Sequence, residues 1–261
     1  MRLRSLLHTI IRHGLPCFSV LMVLVALTLS GGHSLAAVTL QAATPTPDLD
    51  WQLTVKHIDL QSKTPDFTVT ISQPVLQSTG ASSGGKADAF NTAVDAFVAS
   101  AQADLKSGLT DTTGAPPGSS SSLHIDYNVL ASNKGFISVQ FLIDQFIAGA
   151  AHPLHNIYSI NYNLHTGKVL TLADLFKPKA DYLTPIAKFV SAELKRENRL
   201  SFPDGTLPKA ENYGVWNMTH GGLLFSFTDY QVGPYAQGES VVFVPYSALG
   251  DIFNDDYFFA V

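Results

Sequence analysis

The chain has 261 residues, of which 46% are apolar and 14% charged, a balance that suits a packed globular domain and excludes a disordered chain. Its formal net charge is -5, and residues 1–36 hold three arginines and no acid, so their removal would take the charge to -8. An acidic protein of this kind is not expected to bind nucleic acid or anionic lipid as its main partner.

Arg2, Arg4 and Arg12 precede an apolar run from Leu15 to Leu29, and Ser34-Leu35-Ala36-Ala37 offers the small residues a signal peptidase reads. Residues 1–36 therefore read as a signal peptide cleaved near Ala36 or, if left uncleaved, as an N-terminal membrane anchor. The chain is expected to be extracytoplasmic, secreted or tethered, with membrane contact only through that segment. Cys17 lies at the front of the apolar run, where a lipoprotein cysteine would follow it. It is also the only cysteine, so the exported part can form no disulfide and no cysteine-ligated zinc site.

Residues 37–50, with Pro45 and Pro47 among Thr and Ala, read as a flexible leader. Leu53-Thr54-Val55-Lys56 and Phe67-Thr68-Val69-Thr70-Ile71 alternate apolar with polar and predict two strands. From Lys86 to Ser107 the period changes to three and four, with Phe90, Val94, Phe97, Val98, Ala101 and Leu105 on one helical face between Gly85 and Gly108. Residues 108–122 hold Gly, Pro and four consecutive serines and predict a long loop inside one composite domain. Leu123 to Val129 and Phe136 to Ile147, around Asn133-Lys134-Gly135, predict a hairpin. Tyr158, Ile160, Tyr162 and Leu164 continue the sheet, with Ser159, Asn161 and Asn163 on its opposite face. Tyr182 to Leu194 predicts a second helix lying on that sheet, with Lys195, Arg196 and Arg199 at its end. Leu223 to Thr228 and Val241 to Val244 are two late strands, and Tyr246-Ser247-Ala248-Leu249 a short terminal helix. Strands interrupted by two helices without regular alternation predict an α+β fold, a largely antiparallel sheet packed by two main helices in one domain.

Gly149-Ala150-Ala151-His152-Pro153, then Asn161-Tyr162-Asn163-Leu164-His165-Thr166-Gly167-Lys168, then Leu170 to Phe176, resemble the RsiV-type extracytoplasmic domain family, which includes a lysozyme-sensing anti-sigma factor, the cell-wall deacetylase PdaC and a secreted mycobacterial antigen. The resemblance assigns 51–122 to a PdaC-like N-terminal part and 123–261 to the RsiV-type domain. It implies a bacterial cell-envelope location and an α+β fold. As ligand it implies a lysozyme-like protein or a cell-wall glycan such as a peptidoglycan fragment. The dozen residues before the apolar run are too few for a folded sigma-binding domain, so an anti-sigma role is not expected.

Residue by residue, much of that cassette reads as scaffold. Thr166 and Gly167 turn one strand into the next, and Asp174 lies three residues after Thr171 with the spacing of a capping box. His152 and His155 are three apart, but Pro153 disfavours helix, and a third metal ligand would have to come from His165 or His220 far along the chain, so no metal site and no cofactor are expected. Gly149, His152, Pro153, Asn161 and Tyr162 join Thr166, Gly167 and Asp174 as motif positions of structural character. The stretch Tyr230 to Glu239 is different. Its two tyrosines, two glycines and proline either present Tyr230, Gln231, Tyr235, Gln237 and Glu239 for protein or sugar contact, or pack the tyrosines back on the core.

No nucleophile elbow, His-Glu-x-x-His helix or phosphate loop is present. The resemblance places PdaC's chemistry in a separate catalytic domain whose Asp-Asp and His-x-x-x-His motifs have no counterpart here. Asp255-Asp256 lacks that context. The reading is an exported non-catalytic binding domain. Its alternative is a cell-envelope glycan hydrolase or deacetylase-like enzyme, which predicts a cleft holding two acids drawn from Asp144, Asp174, Glu239 and Asp255.

Overall fold

The computed structural model describes residues 51–78, 85–110, 114–133 and 135–254, all within one unit, Thr46–Val261. The apolar run at 15–29, the leader at 37–50 and Asp255-Asp256 lie outside the described residues.

The first two alternating runs form β1 (Trp51–Lys63) and β2 (Asp66–Ser78), paired antiparallel along their whole length. They are followed by α1 (Lys86–Gly108), which buries Phe90, Val94, Val98, Ala101 and Leu105. The helix starts at Gly85, held at φ 76, a conformation that suits a residue without Cβ. Asn91 ties α1 to β2: its side-chain oxygen accepts from the Leu76 N–H at 2.8 Å and its amide donates to the Leu76 carbonyl at 2.9 Å. The chain then returns as β3 (Ser121–Ser132), parallel to β2 between Phe67 and Ile71. Periodicity alone does not reveal this parallel pair, since it needs α1 as a crossover between neighbouring strands.

The predicted hairpin joins β3 to β4 (Phe136–Phe146), with Asn133 Oδ1 accepting the N–H groups of Gly135 and Phe136 at 2.8 Å each. Strand β5 (Leu154–Asn163) pairs with β4, and the two-residue β6 (Lys168–Val169) closes a six-stranded sheet in simple chain order. One face of the sheet, carrying Ile71, Leu123, Ile125, Val139, Phe141, Ile160 and Tyr162, forms a core with α1. Each such side chain contributes about 1.5–3 kcal/mol on burial.

The late strands form a separate sheet of β7 (Trp216–Met218), β8 (Gly222–Phe227) and β9 (Ser240–Pro245). Helix α2 (Leu183–Arg196) buries Ile186, Ala187, Val190 and Leu194 in a second core with Leu223, Phe225, Phe227 and Val244. It packs on this second sheet, not on the hairpin sheet. The reason is chemical: α1 already covers the apolar face of the first sheet, and the opposite face of β4 and β5 is polar.

That polar face is where the two sheets meet. Asn161 Nδ2 donates to the Trp216 carbonyl at 2.7 Å, while Asn161 Oδ1 accepts from the Ser138 hydroxyl at 2.7 Å and the Met218 N–H at 3.0 Å. Asn217 donates to Ser138 at 3.0 Å, Ser159 donates to Asn217 at 3.1 Å, and Gln140 donates to Ser226 at 3.1 Å. Buried side chains of this kind are tolerated because they satisfy one another. The fold is α+β, largely antiparallel, with two main helices in one domain. Among the described residues no helix is long and apolar enough to cross a membrane.

Candidate functional site

The polar face of β4 and β5 runs through the cross-strand pairs Ser138↔Asn161, Gln140↔Ser159, Leu142↔Ile157 and Asp144↔His155. Directly opposed residues point to one side of a sheet, so these four pairs form one stripe. Strand β7 covers its Ser138–Asn161 end. At the other end, the loop between β8 and β9 folds over the stripe and leaves a cleft of about 560 Å³ lined by Leu142, Asp144, His155, Asp229, Tyr235 and Glu239, with residues 236–238.

The loop is anchored from below. Val232 is buried, and its carbonyl accepts the N–H groups of Ser201 and Phe202 at 2.9 Å each. Gln231 turns inward and donates to the Asn212 carbonyl at 2.9 Å. Gln237 donates to the Arg199 carbonyl at 2.8 Å, and Arg199 in return donates to the carbonyls of Gln237 at 3.1 Å and Glu239 at 2.6 Å. The loop is thus a shaped structure held at Gln231, Val232, Gln237 and Glu239.

Above it, Tyr235 stacks on His152 with ring centroids 3.8 Å apart and donates its hydroxyl to the Pro153 carbonyl at 3.0 Å. His152 Nδ1 lies 2.8 Å from the Pro153 carbonyl and Nε2 lies 3.3 Å from the Tyr230 hydroxyl. Nδ1 is placed to donate to the carbonyl, and the Nε2 contact ties the turn to Tyr230 at the start of the loop. Tyr230 is 53% exposed and sits at φ 66, a strained position for a tyrosine. His155 hydrogen-bonds Asp144 across the strand pair.

Of the loop residues expected to make contact, Tyr235, Gln237 and Glu239 line the cleft, Tyr230 stands at its rim through His152, and Gln231 faces the anchor. Gly149, at φ 96, and Pro153 shape the turn that presents His152. The other motif residues lie elsewhere. Asn161 belongs to the layer between the sheets, and Tyr162 donates its hydroxyl to the Lys86 carbonyl at the start of α1. The Thr166 N–H is capped by Asn163 at 2.9 Å, with Gly167 at φ 70. Asp174 accepts both the N–H and the hydroxyl of Thr171 at 2.7 Å. Among the acids named for a hydrolase, Asp144 and Glu239 share the cleft and Asp174 does not. Asp229 was not singled out from the sequence, although it directly precedes Tyr230.

Residues 173–247 match DUF3298, a protein family of unknown function. The DUF3298 stretch holds α2, β7, β8, β9 and the whole tyrosine loop. The fold resembles that of a DUF3298 family protein from Pseudomonas aeruginosa PAO1, with a TM-score of 0.56 at 17% identity over 81% of this chain and 97% of that one. A DUF3298 family member from Bacteroides fragilis gives 0.56 at 14% identity over 80% and 95%. The peptidoglycan-N-acetylmuramic acid deacetylase PdaC of Bacillus subtilis is 29% identical over 140 residues, 52% of this chain and 30% of the deacetylase's own length.

The DUF3298 stretch also supplies the carboxylate that burial disturbs most. Burial raises the Glu239 carboxyl above its ordinary 4.5, the charges of Asp229 and Asp144 raise it further, and His155 opposes them. Burial likewise raises the Tyr235 hydroxyl, helped by Asp229, Tyr230 and Asp144. A carboxyl with a raised folded value contributes stability below its ordinary value and loses it as pH rises through the raised value. Glu239→Gln is therefore expected to make the protein more stable than the parent above that window, with the advantage disappearing in acid. Denaturant midpoints at several pH values check this, and a variant less stable throughout would refute it.

Proposed function

We propose that this chain is an exported, non-catalytic binding domain of the RsiV type at the bacterial cell envelope, holding a cell-wall glycan in the cleft under the 229–239 loop. The observation that carries the reading is the meeting of Tyr235, Gln237 and Glu239 with Asp144 and His155 in one open cleft. An aromatic wall with a few convergent polar groups is the usual chemistry of sugar and small-ligand sites. PdaC acts, by its name, on peptidoglycan, and the resemblance extends over less than a third of that enzyme, which suits a shared binding segment. A lysozyme-like protein is the other ligand of this reading, favoured by the acidic charge of the chain. Co-sedimentation with purified peptidoglycan, beside capture of lysozyme on immobilised protein, tests the reading. Binding of the glycan is expected, and failure with both ligands would reject it.

A specific observation also favours a glycan hydrolase or deacetylase-like enzyme. Asp144, Asp229 and Glu239 share the cleft, and Glu239 is raised in the direction a general acid requires. Release of reducing ends or acetate from peptidoglycan, lost in Glu239→Gln, would establish catalysis in place of the binding reading.

A further inference from the structure

The charge of the cleft is unbalanced. Three carboxylates, Asp144, Asp229 and Glu239, line one depression whose single basic side chain among the described residues is His155, already bonded to Asp144. Arg199 lies behind the loop, but its guanidinium is directed to the Ser240 hydroxyl and to the carbonyls of Gln237 and Glu239. Oδ2 of Asp229 is buried and has no hydrogen-bond partner among the described residues. A carboxylate oxygen cut off from both water and donors is costly, and a positive group seated in the cleft above it would offset that cost through a wall of low dielectric. The rest of the lining is not charged: Leu142 and Ala236 supply apolar surface, and Tyr235 adds an aromatic edge. A sugar ring combines both needs, with C–H faces for the apolar wall and polar substituents for the carboxylates.

We infer that the cleft recognises an amino sugar carrying a free, protonated amine, a de-N-acetylated glucosamine-type residue, in preference to its N-acetylated form. The inference rests on the glycan reading above and names the chemistry that the site selects. The ammonium donates to the Asp144 and Glu239 carboxylates and neutralises the field of Asp229. Acetylation removes the charge and leaves one N–H donor where the ammonium has three, so carboxylates in the cleft lose both charge and donors.

Calorimetric titration of the folded protein at pH 6 and low salt tests this with three probes: a glucosamine tetramer, the N-acetylglucosamine tetramer and a tetralysine peptide. The glucosamine tetramer is expected to bind at least about tenfold more tightly than its acetylated counterpart. Combining Asp144→Asn with Glu239→Gln should bring that ratio close to one, and a ratio that stays at the parent's value would overturn the inference. Equal affinities in the parent protein would overturn the amine preference and leave the glycan reading standing. Binding of neither sugar would overturn both. Tetralysine binding as tightly as the amino sugar would overturn the inference in favour of a basic protein partner. A melt of the double variant at or above that of the parent establishes that lost discrimination is not lost folding.

Discussion

Asn161→Ala is expected to lower the unfolding midpoint by roughly 6–12 °C, corresponding to about 3 kcal/mol for a domain of this size. The side chain makes three hydrogen bonds in the layer between the sheets, one donated to the Trp216 carbonyl and two accepted from Ser138 and Met218. Truncation leaves the Trp216 carbonyl without that donor inside a layer closed to water, and it removes one acceptor from each of the other two groups. Unsatisfied buried groups of this kind each cost about 1–3 kcal/mol. Tyr162→Phe, which removes one hydroxyl bonded to the Lys86 carbonyl, is the comparison, with an expected cost of about 1 kcal/mol. If Asn161→Ala melts within a degree or two of the parent, the polar layer does not hold the sheets together.

Gly205→Ala is expected to cost about 2–3 kcal/mol and to weaken ligand binding together with stability. A Cβ on Gly205 would lie 2.0 Å from the Gln231 carbonyl oxygen and 2.8 Å from its carbon. Those are backbone atoms at the base of the tyrosine loop, so no side-chain rotation relieves the overlap. The loop must move, and it carries Tyr235 and Glu239 with it. Gly214→Ala is the control, because its nearest atom, the Glu211 carbonyl oxygen, would be 3.7 Å away. Equal melting midpoints and equal ligand affinities for the two variants would show that the Gly205 contact does not set the loop.

Side-chain periodicity made much of the scaffold legible. Phe90, Val94, Val98 and Leu105 marked α1 because a helix buries every third or fourth residue, and the β3–β4 hairpin announced itself by strict alternation around Asn133. Strand β7 escaped because its three residues, Trp216, Asn217 and Met218, are all buried and so do not alternate. The inter-sheet layer escaped for a related reason. Ser138, Gln140 and Asn161 carry the pattern of a solvated strand face, and nothing local distinguishes water from a second polar sheet as their partner. Tyr230 to Glu239 stood out through its glycines, proline and tyrosines, which require a shaped backbone. Asp144 and His155 meet through strand register, and Asp229 reaches the cleft only because the loop folds back over β4 and β5; long-range pairing of that kind leaves no signal in the spacing of residues.

The site and the scaffold converge on Tyr235, which joins the loop to the Pro153 turn and forms one wall of the cleft. The most direct test of the account is the affinity of soluble, lysozyme-digested peptidoglycan fragments for the parent protein and for Tyr235→Ala, with the melting midpoint of each variant measured alongside. The account predicts saturable binding by the parent protein and a loss of about tenfold or more in a Tyr235→Ala variant that remains folded. Unchanged affinity in that variant, or no binding by the parent protein, would contradict it.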